Sequence, residues 1–261
     1  GLTILDKIRG LMPEYDYIYL GDSARCPYGP RSFEVVYEFT LQAVSKLFEL
    51  GCPLVILACN TASAKALRTI QQINLPVIDA TRRVLGVIRP TAECIGEITR
   101  SRHVGILATA GTIKSESYLL EIHKLSPDIV VTGEACPMWV SLVENNEYQS
   151  EGADYFVKQH INRLLDKDPM IDTIILGCTH YPLLLDKIRQ FTPGHIRIIA
   201  QGEYVARSLQ DYLNRHPEMD ARCEKGGKCR FLTTESENKF EESASIFLGR
   251  QDIKVESIAL E

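Results

Sequence analysis

Short apolar runs alternate along this chain with longer stretches whose apolar positions recur every three or four residues. The first pattern predicts strands and the second amphipathic helices. Their alternation predicts an α/β protein with mostly parallel sheets. YIYL at 17–20 reads as a strand. Ser32 then opens a helix with Phe33, Val36, Phe39, Val44, Leu47 and Leu50 on its apolar side, and Gly51 stops it. LVILA at 54–58 is the next strand. A helix from about Ala62 to Ile73, a strand at PVID (76–79) and a helical stretch over 84–99, interrupted by Pro90, complete the first series.

A second series begins at HVGILA (103–108), passes through a helix near 114–125 and returns as DIVVTG (128–133). CPMWVSLVE (136–144) reads as a loop and 151–166 as a helix. TIILG (173–177) is a strand, 182–191 a helix, IRIIA (196–200) a strand and 203–215 a helix. The tail carries two strand-like runs, CRFLTTE and IKVESIAL, around an acidic segment. We expect two α/β halves, with the chain crossing between them twice.

Two of these strands end alike. VILACNTASA (55–64) and IILGCTHYPL (174–183) each run from apolar residues through a small one to a cysteine, then to hydrogen-bonding residues. In open α/β sheets the carboxyl ends of strands line the ligand crevice, so both cysteines lie there if the halves face each other. A thiol just ahead of a helix is favoured as thiolate by the helix dipole and its free N–H groups. His180, two residues past Cys178, can trade a proton with it. Asn60, Thr61 and Thr179 are donors suited to a carboxylate at a helix start, and Thr109 and Thr112 in TAGT offer the same. Two thiols on opposite faces of one carbon would invert its configuration, one removing a proton and the other delivering one.

Each residue also has a plainer use. A cysteine after an apolar run packs well as a small hydrophobe. His180 also suits a helix start, and Asn60, Thr61, Thr109 and Thr112 also suit caps. Pro27, Tyr28 and Gly29 make a turn. Asp22 and Glu144 are ordinary surface acids unless a cleft holds them, and Trp139 is an ordinary core residue.

Composition narrows the partners without changing the fold. With 261 residues, 45% hydrophobic and 24% charged, the chain can bury one large core or two medium ones. A net charge of −5 and no long basic run make nucleic acid a poor partner. No apolar run reaches the roughly 18 residues of a membrane span. Eight cysteines without a CxxC pair do not form a disulfide framework and fit a reducing cytoplasm. Cys223 and Cys229, in CEKGGKC, flank a Gly-Gly turn, and zinc there would want two further ligands. No nucleotide, metal or serine-nucleophile motif is present; ATAGTIKS (108–115) fails the P-loop spacing. No signal segment is visible, and the chain opens on Gly1 rather than Met.

Five segments together resemble the cofactor-independent glutamate racemases: GDSARCPYGPRS (21–32), ACNTASA (58–64), VGILATAGTIKS (104–115), ACPMWVSLVE (135–144) and GCTHYPLL (177–184). The resemblance implies two pseudo-symmetric three-layer α/β domains with the active site in the cleft between them. The first would span 1–82 plus 200–261 and carry Cys59; the second would span 83–199 and carry Cys178. It implies a cytoplasmic isomerase that interconverts L- and D-glutamate without pyridoxal phosphate and supplies D-glutamate for peptidoglycan. Cys59 would act on the D-isomer and Cys178 on the L-isomer, helped by His180. Pro27, Tyr28, Gly29, Asn60, Thr61, Thr109, Thr112 and Thr179 would hold the substrate. Asp22 and Glu144 would assist proton transfer or orient their neighbours. The family's Asp-Ser-Gly motif would end on the glycine of GLTIL, so we expect the polypeptide to begin upstream. Cys26 and Ala108 stand where an apolar residue without a thiol and a glycine are common in the family.

Other readings give different expectations. A racemase for aspartate would share the fold, although the CNTA and CTHY flanks favour glutamate. A non-catalytic binding protein is a different class, since some relatives bind DNA gyrase and inhibit it; relatives are often dimers. A periplasmic-type ligand binder fits poorly with free cysteines and no signal segment.

Overall fold

The computed structural model describes residues 1–249 and 253–260. Its strands are β1 (Tyr17–Gly21), β2 (Leu54–Leu57), β3 (Arg83–Gly86), β4 (His103–Ala108), β5 (Val130–Ala135), β6 (Thr173–Gly177), β7 (Arg197–Ala200), β8 (Cys229–Thr233) and β9 (Val255–Ser257). They form a four-stranded sheet in the order β5-β4-β6-β7, a three-stranded sheet β1-β8-β9 and the pair β2-β3. Every pairing among the described strands is parallel, so each return is made by a crossover that lays a helix on a sheet face.

The four-stranded sheet is buried on both faces, which explains why β4 and β6 read as unbroken apolar runs. Successive strand residues point to opposite faces. Ile174, Leu176 and Leu107 therefore meet Val157, Ile161 and Leu164 of the helix Glu151–Lys167, together with Trp139 and Tyr181. Ile106 and Ile175 meet Ile88, Ala92 and Ile95 of the helix Ile88–Ile98 and Tyr118 and Ile122 of the helix Ser117–Leu125. Each such fully buried aliphatic side chain contributes about 1.5–3 kcal/mol. In the other half, Val55 and Leu57 pack on Val44, Phe48 and Ile70. The helix Leu2–Leu11 packs Ile4 and Ile8 against Val205, Leu209 and Leu213 of the helix Gly202–Arg215. Ser32, Thr109 and Ser150 each accept an N–H at a helix start, a cap that contributes about 1 kcal/mol.

Two of the differences from the sequence reading fall on short apolar runs, where the periods of helix and strand cannot be told apart. PVID is not a strand: Leu75–Ile78 is a helical turn with Leu75 buried and Val77 exposed. The stretch from 84 is not all helix, because Arg83–Gly86 pairs with Leu54–Leu57 before the helix Ile88–Ile98 begins. The expected loop at 136–144 contains the helix Trp139–Glu144. The acidic tail segment is the helix Glu237–Leu248, which turns Phe240 and Ala244 inward. The helix Leu2–Leu11 has the required period but was absent from the sequence reading. The chain passes to the four-stranded sheet at Val87 and back at Gln201, both buried.

Candidate active site

Three turns at the carboxyl ends of β2, β4 and β6 carry most of the expected site residues. After β2, Cys59 caps the helix Asn60–Lys65, and its Sγ accepts the Ala62 N–H at 3.5 Å. The strand ends there because Cys59 stays extended, with φ −130° and ψ 124°, while Asn60 enters the helix. Cys59 is half-buried and free. The first amides of a helix have no partner within it, so N–H groups gather around this sulfur.

Thr61 on that helix meets the turn after β4. Its hydroxyl lies 2.9 Å from Thr109 Oγ1 and 3.4 Å from Thr112 Oγ1, and the latter two are 3.1 Å apart. Three buried hydroxyls from both halves thus form a triangle. Hydroxyl hydrogens rotate to suit a partner, so the triangle can turn its donors toward an anion. Gly29 lies against it: Gly29 O accepts the Gly111 N–H at 3.1 Å. A Cβ at Gly111 would stand 2.6 Å from that carbonyl, and a Cβ at Gly29 would stand 2.9 Å from Thr109 Cβ. Only glycine fits this approach. The Pro27–Gly29 turn is therefore joined directly to the TAGT turn.

After β6, Cys178 is 7% exposed, and its Sγ lies 3.7 Å from His180 Nδ1. His180 Nε2 lies 2.5 Å from Glu144 Oε1 at the end of the helix Trp139–Glu144. Burial pushes the Cys178 thiol up to about 12, the His180 backbone N–H opposes that, and the Cys59 charge adds to it. Glu144 is held below the usual carboxylate range, first by its hydrogen bond with His180. An ionised Glu144 accepts only, so His180 donates its Nε2–H to it, and in the neutral imidazole Nδ1 then faces Cys178 as a lone pair. Cys178, His180 and Glu144 thus form a line along which the thiol proton can leave.

Thr179 is buried, and its carbonyl accepts from Thr3 Oγ1 at 2.9 Å. Asp22 receives Arg25 Nε at 2.9 and 2.8 Å, Thr234 Oγ1 at 2.9 Å and the Tyr28 hydroxyl. The carboxylate thus ties the Pro27–Gly29 turn to β8's end. Asn60 is buried with both ends of its amide bonded, its oxygen to the Tyr118 hydroxyl and its nitrogen to Gln201. Its backbone N–H, at the helix start, has no partner within the helix.

The sequence reading missed Arg25, Tyr118 and Gln201. Arg25 lies inside a quoted motif and carries a charge in a Pro-rich turn, a usable signal. Tyr118 and Gln201 sit at ordinary core and helix-start positions, and nothing local distinguishes them.

Among the described residues no helix is long and apolar enough to cross a membrane. The Asp/Glu/Hydantoin racemase family model matches residues 3–209. A glutamate racemase of Ruegeria sp. is 37% identical over 96% of this chain and 94% of its own length. The crystal structure of glutamate racemase isoform RacE1 from Bacillus anthracis superposes with a TM-score of 0.89 at 34% identity, covering 100% of this chain and 94% of that one. Glutamate racemase from Francisella tularensis, solved in complex with D-glutamate, superposes with a TM-score of 0.86 at 29% identity, covering 100% and 94%.

Proposed function

This chain belongs to the Asp/Glu/Hydantoin racemase family, and on that footing we propose that it is a glutamate racemase that moves a proton across Cα between Cys59 and Cys178. The observation that carries the reading is the pair of cysteines at the carboxyl ends of β2 and β6, with the Thr61 and Thr109 hydroxyls meeting at 2.9 Å between the turns after β2 and β4.

The chemistry follows from the residues. L-glutamate places its Cα–H toward Cys178. His180 Nδ1 takes the Cys178 proton, and the ionised Glu144 at Nε2 offsets the imidazolium charge. The thiolate then removes the Cα proton, and the bonding pair flows into the α-carboxylate. The N–H groups at the starts of the helices Asn60–Lys65 and Ala110–Lys114, with the Thr61–Thr109–Thr112 hydroxyls, stabilise the charge that develops there. The Cys59 S–H donates its proton to the opposite face and D-glutamate leaves; the roles reverse for the D-isomer. Pro27, Tyr28, Gly29, Asn60 and Thr179 line the substrate in this reading, and Asp22 holds Tyr28 in place.

The same reading divides the chain near 82 and 200 into two units, and the β2–β3 pairing supports moving the first crossing to Val87. Free thiols at Cys52, Cys94 and Cys136 fit a reducing compartment, and we place the enzyme in the cytoplasm, feeding peptidoglycan synthesis. A homodimer and gyrase binding are extensions by resemblance, checked by light scattering and by pull-down with a racemisation-dead protein. The deciding experiment is racemisation in D2O: deuterium is expected at Cα of each newly formed enantiomer. Inversion with retention of the original proton sinks the two-thiol route, and faster turnover of aspartate than glutamate sinks the substrate.

A further inference from the structure

Three buried side chains close a hydrogen-bonded ring between the two thiol-bearing turns. Asn60 Nδ2 donates to Gln201 Oε1 at 2.7 Å, Gln201 Nε2 donates to the Tyr118 hydroxyl at 2.6 Å, and that hydroxyl donates to Asn60 Oδ1 at 2.7 Å. The donors run head to tail, so each bond polarises the next. None of the three residues is more than 3% exposed. Gln201 Nε2 also reaches the Val87 carbonyl at 2.9 Å.

The position of the ring says more than its stability does. Asn60 follows Cys59. The Tyr118 ring lies against the backbone just before Cys178: a Cβ at Gly177 would stand 3.1 Å from Tyr118 Cε2. One aromatic ring therefore spans from the Cys178 turn to the Cys59 turn. Gln201 and Val87 are the points where the chain crosses between the halves, so the ring also fixes both crossings to that span. Burial keeps Tyr118 a neutral phenol, able to donate to Asn60.

We propose that Tyr118, clamped by Gln201 and Asn60, is the positioning residue that sets the separation of the Cys59 and Cys178 sulfurs. The inference rests on the two-thiol reading above. Inversion needs both sulfurs within reach of one carbon, whereas proton exchange with retention needs one. A widened gap therefore slows inversion while leaving exchange at a single thiol.

Tyr118→Phe removes one hydroxyl and keeps the ring; Gln201→Met keeps the shape and removes the clamp. Each is assayed in D2O for inversion and for deuterium entering the unconverted enantiomer. The expected result is kcat for inversion reduced roughly 10- to 100-fold, KM changed far less, and exchange relative to inversion raised severalfold. A merely structural role would lower exchange and inversion together. An unchanged ratio in either folded variant overturns the proposal, as does failure of both to fold, which would make the ring a folding element. Cys59→Ser and Cys178→Ser run alongside. If they stay active, the two-thiol reading itself fails; if they are dead and Tyr118→Phe keeps the wild-type ratio, the spacer alone falls.

Discussion

The Cys59 and Cys178 turns begin from one sequence pattern and end in different surroundings. Cys59 is half-buried and leans on backbone N–H groups at a helix start. Cys178 is buried and leans on an imidazole that is itself backed by a carboxylate. Desolvation raises the cost of ionising Cys178, so that side needs a proton acceptor, and His180 with Glu144 provides one. Strand, cysteine and helix start are thus common to both halves, while the means of activating the thiol is local to each.

The largest effect expected is on the thiols themselves. Cys59→Ser and Cys178→Ser should each lower racemisation by roughly 10³- to 10⁶-fold, since a serine hydroxyl is far harder to ionise than a thiol. Near-normal rates in either variant, measured by circular dichroism of glutamate, would remove the equivalence of the halves. Next is His180→Asn, expected to cost roughly 10²- to 10⁴-fold. Enantiomers have equal free energy in water, so kcat/KM must fall equally in both directions. The asymmetry shows instead in isotope effects: with Cα-deuterated substrates the effect should grow for L-glutamate relative to D-glutamate. Equal effects from both sides would mean that His180 does not serve Cys178 alone.

The smallest effect is on stability. Glu144 has a folded pKa below the unfolded value of about 4.3. Its ionised form therefore adds stability above that pH, and the contribution fades as pH falls through the folded value. Glu144→Gln should lower Tm above the ordinary carboxylate range, with the difference closing as the pH falls below that range. A pH-independent difference would mean that the His180–Glu144 contact contributes no charge.

Much of this was legible in the sequence because its signals are local. The unbroken runs of β4 and β6 mark strands buried on both faces, and the matched flanks of Cys59 and Cys178 mark one kind of turn. The run at 83–86 was not legible, because four residues fit either period and only the hydrogen bonds to Leu54–Leu57 decide it. The meeting of Thr61 with Thr109 lies between these cases: both hydroxyls could be named as donors, but their 2.9 Å approach depends on Gly29 and Gly111 letting two loops touch.

By itself, then, the sequence determined the α/β class, the cysteine turns and the histidine beside one of them, since each is written in neighbouring residues. Tertiary structure alone decided that Glu144 stands behind His180, that Asp22 is committed to Arg25 and Tyr28, and that Tyr118 and Gln201 bridge the two turns. Those partners lie far apart along the chain, and no periodicity or local propensity records a contact made only when two halves pack together.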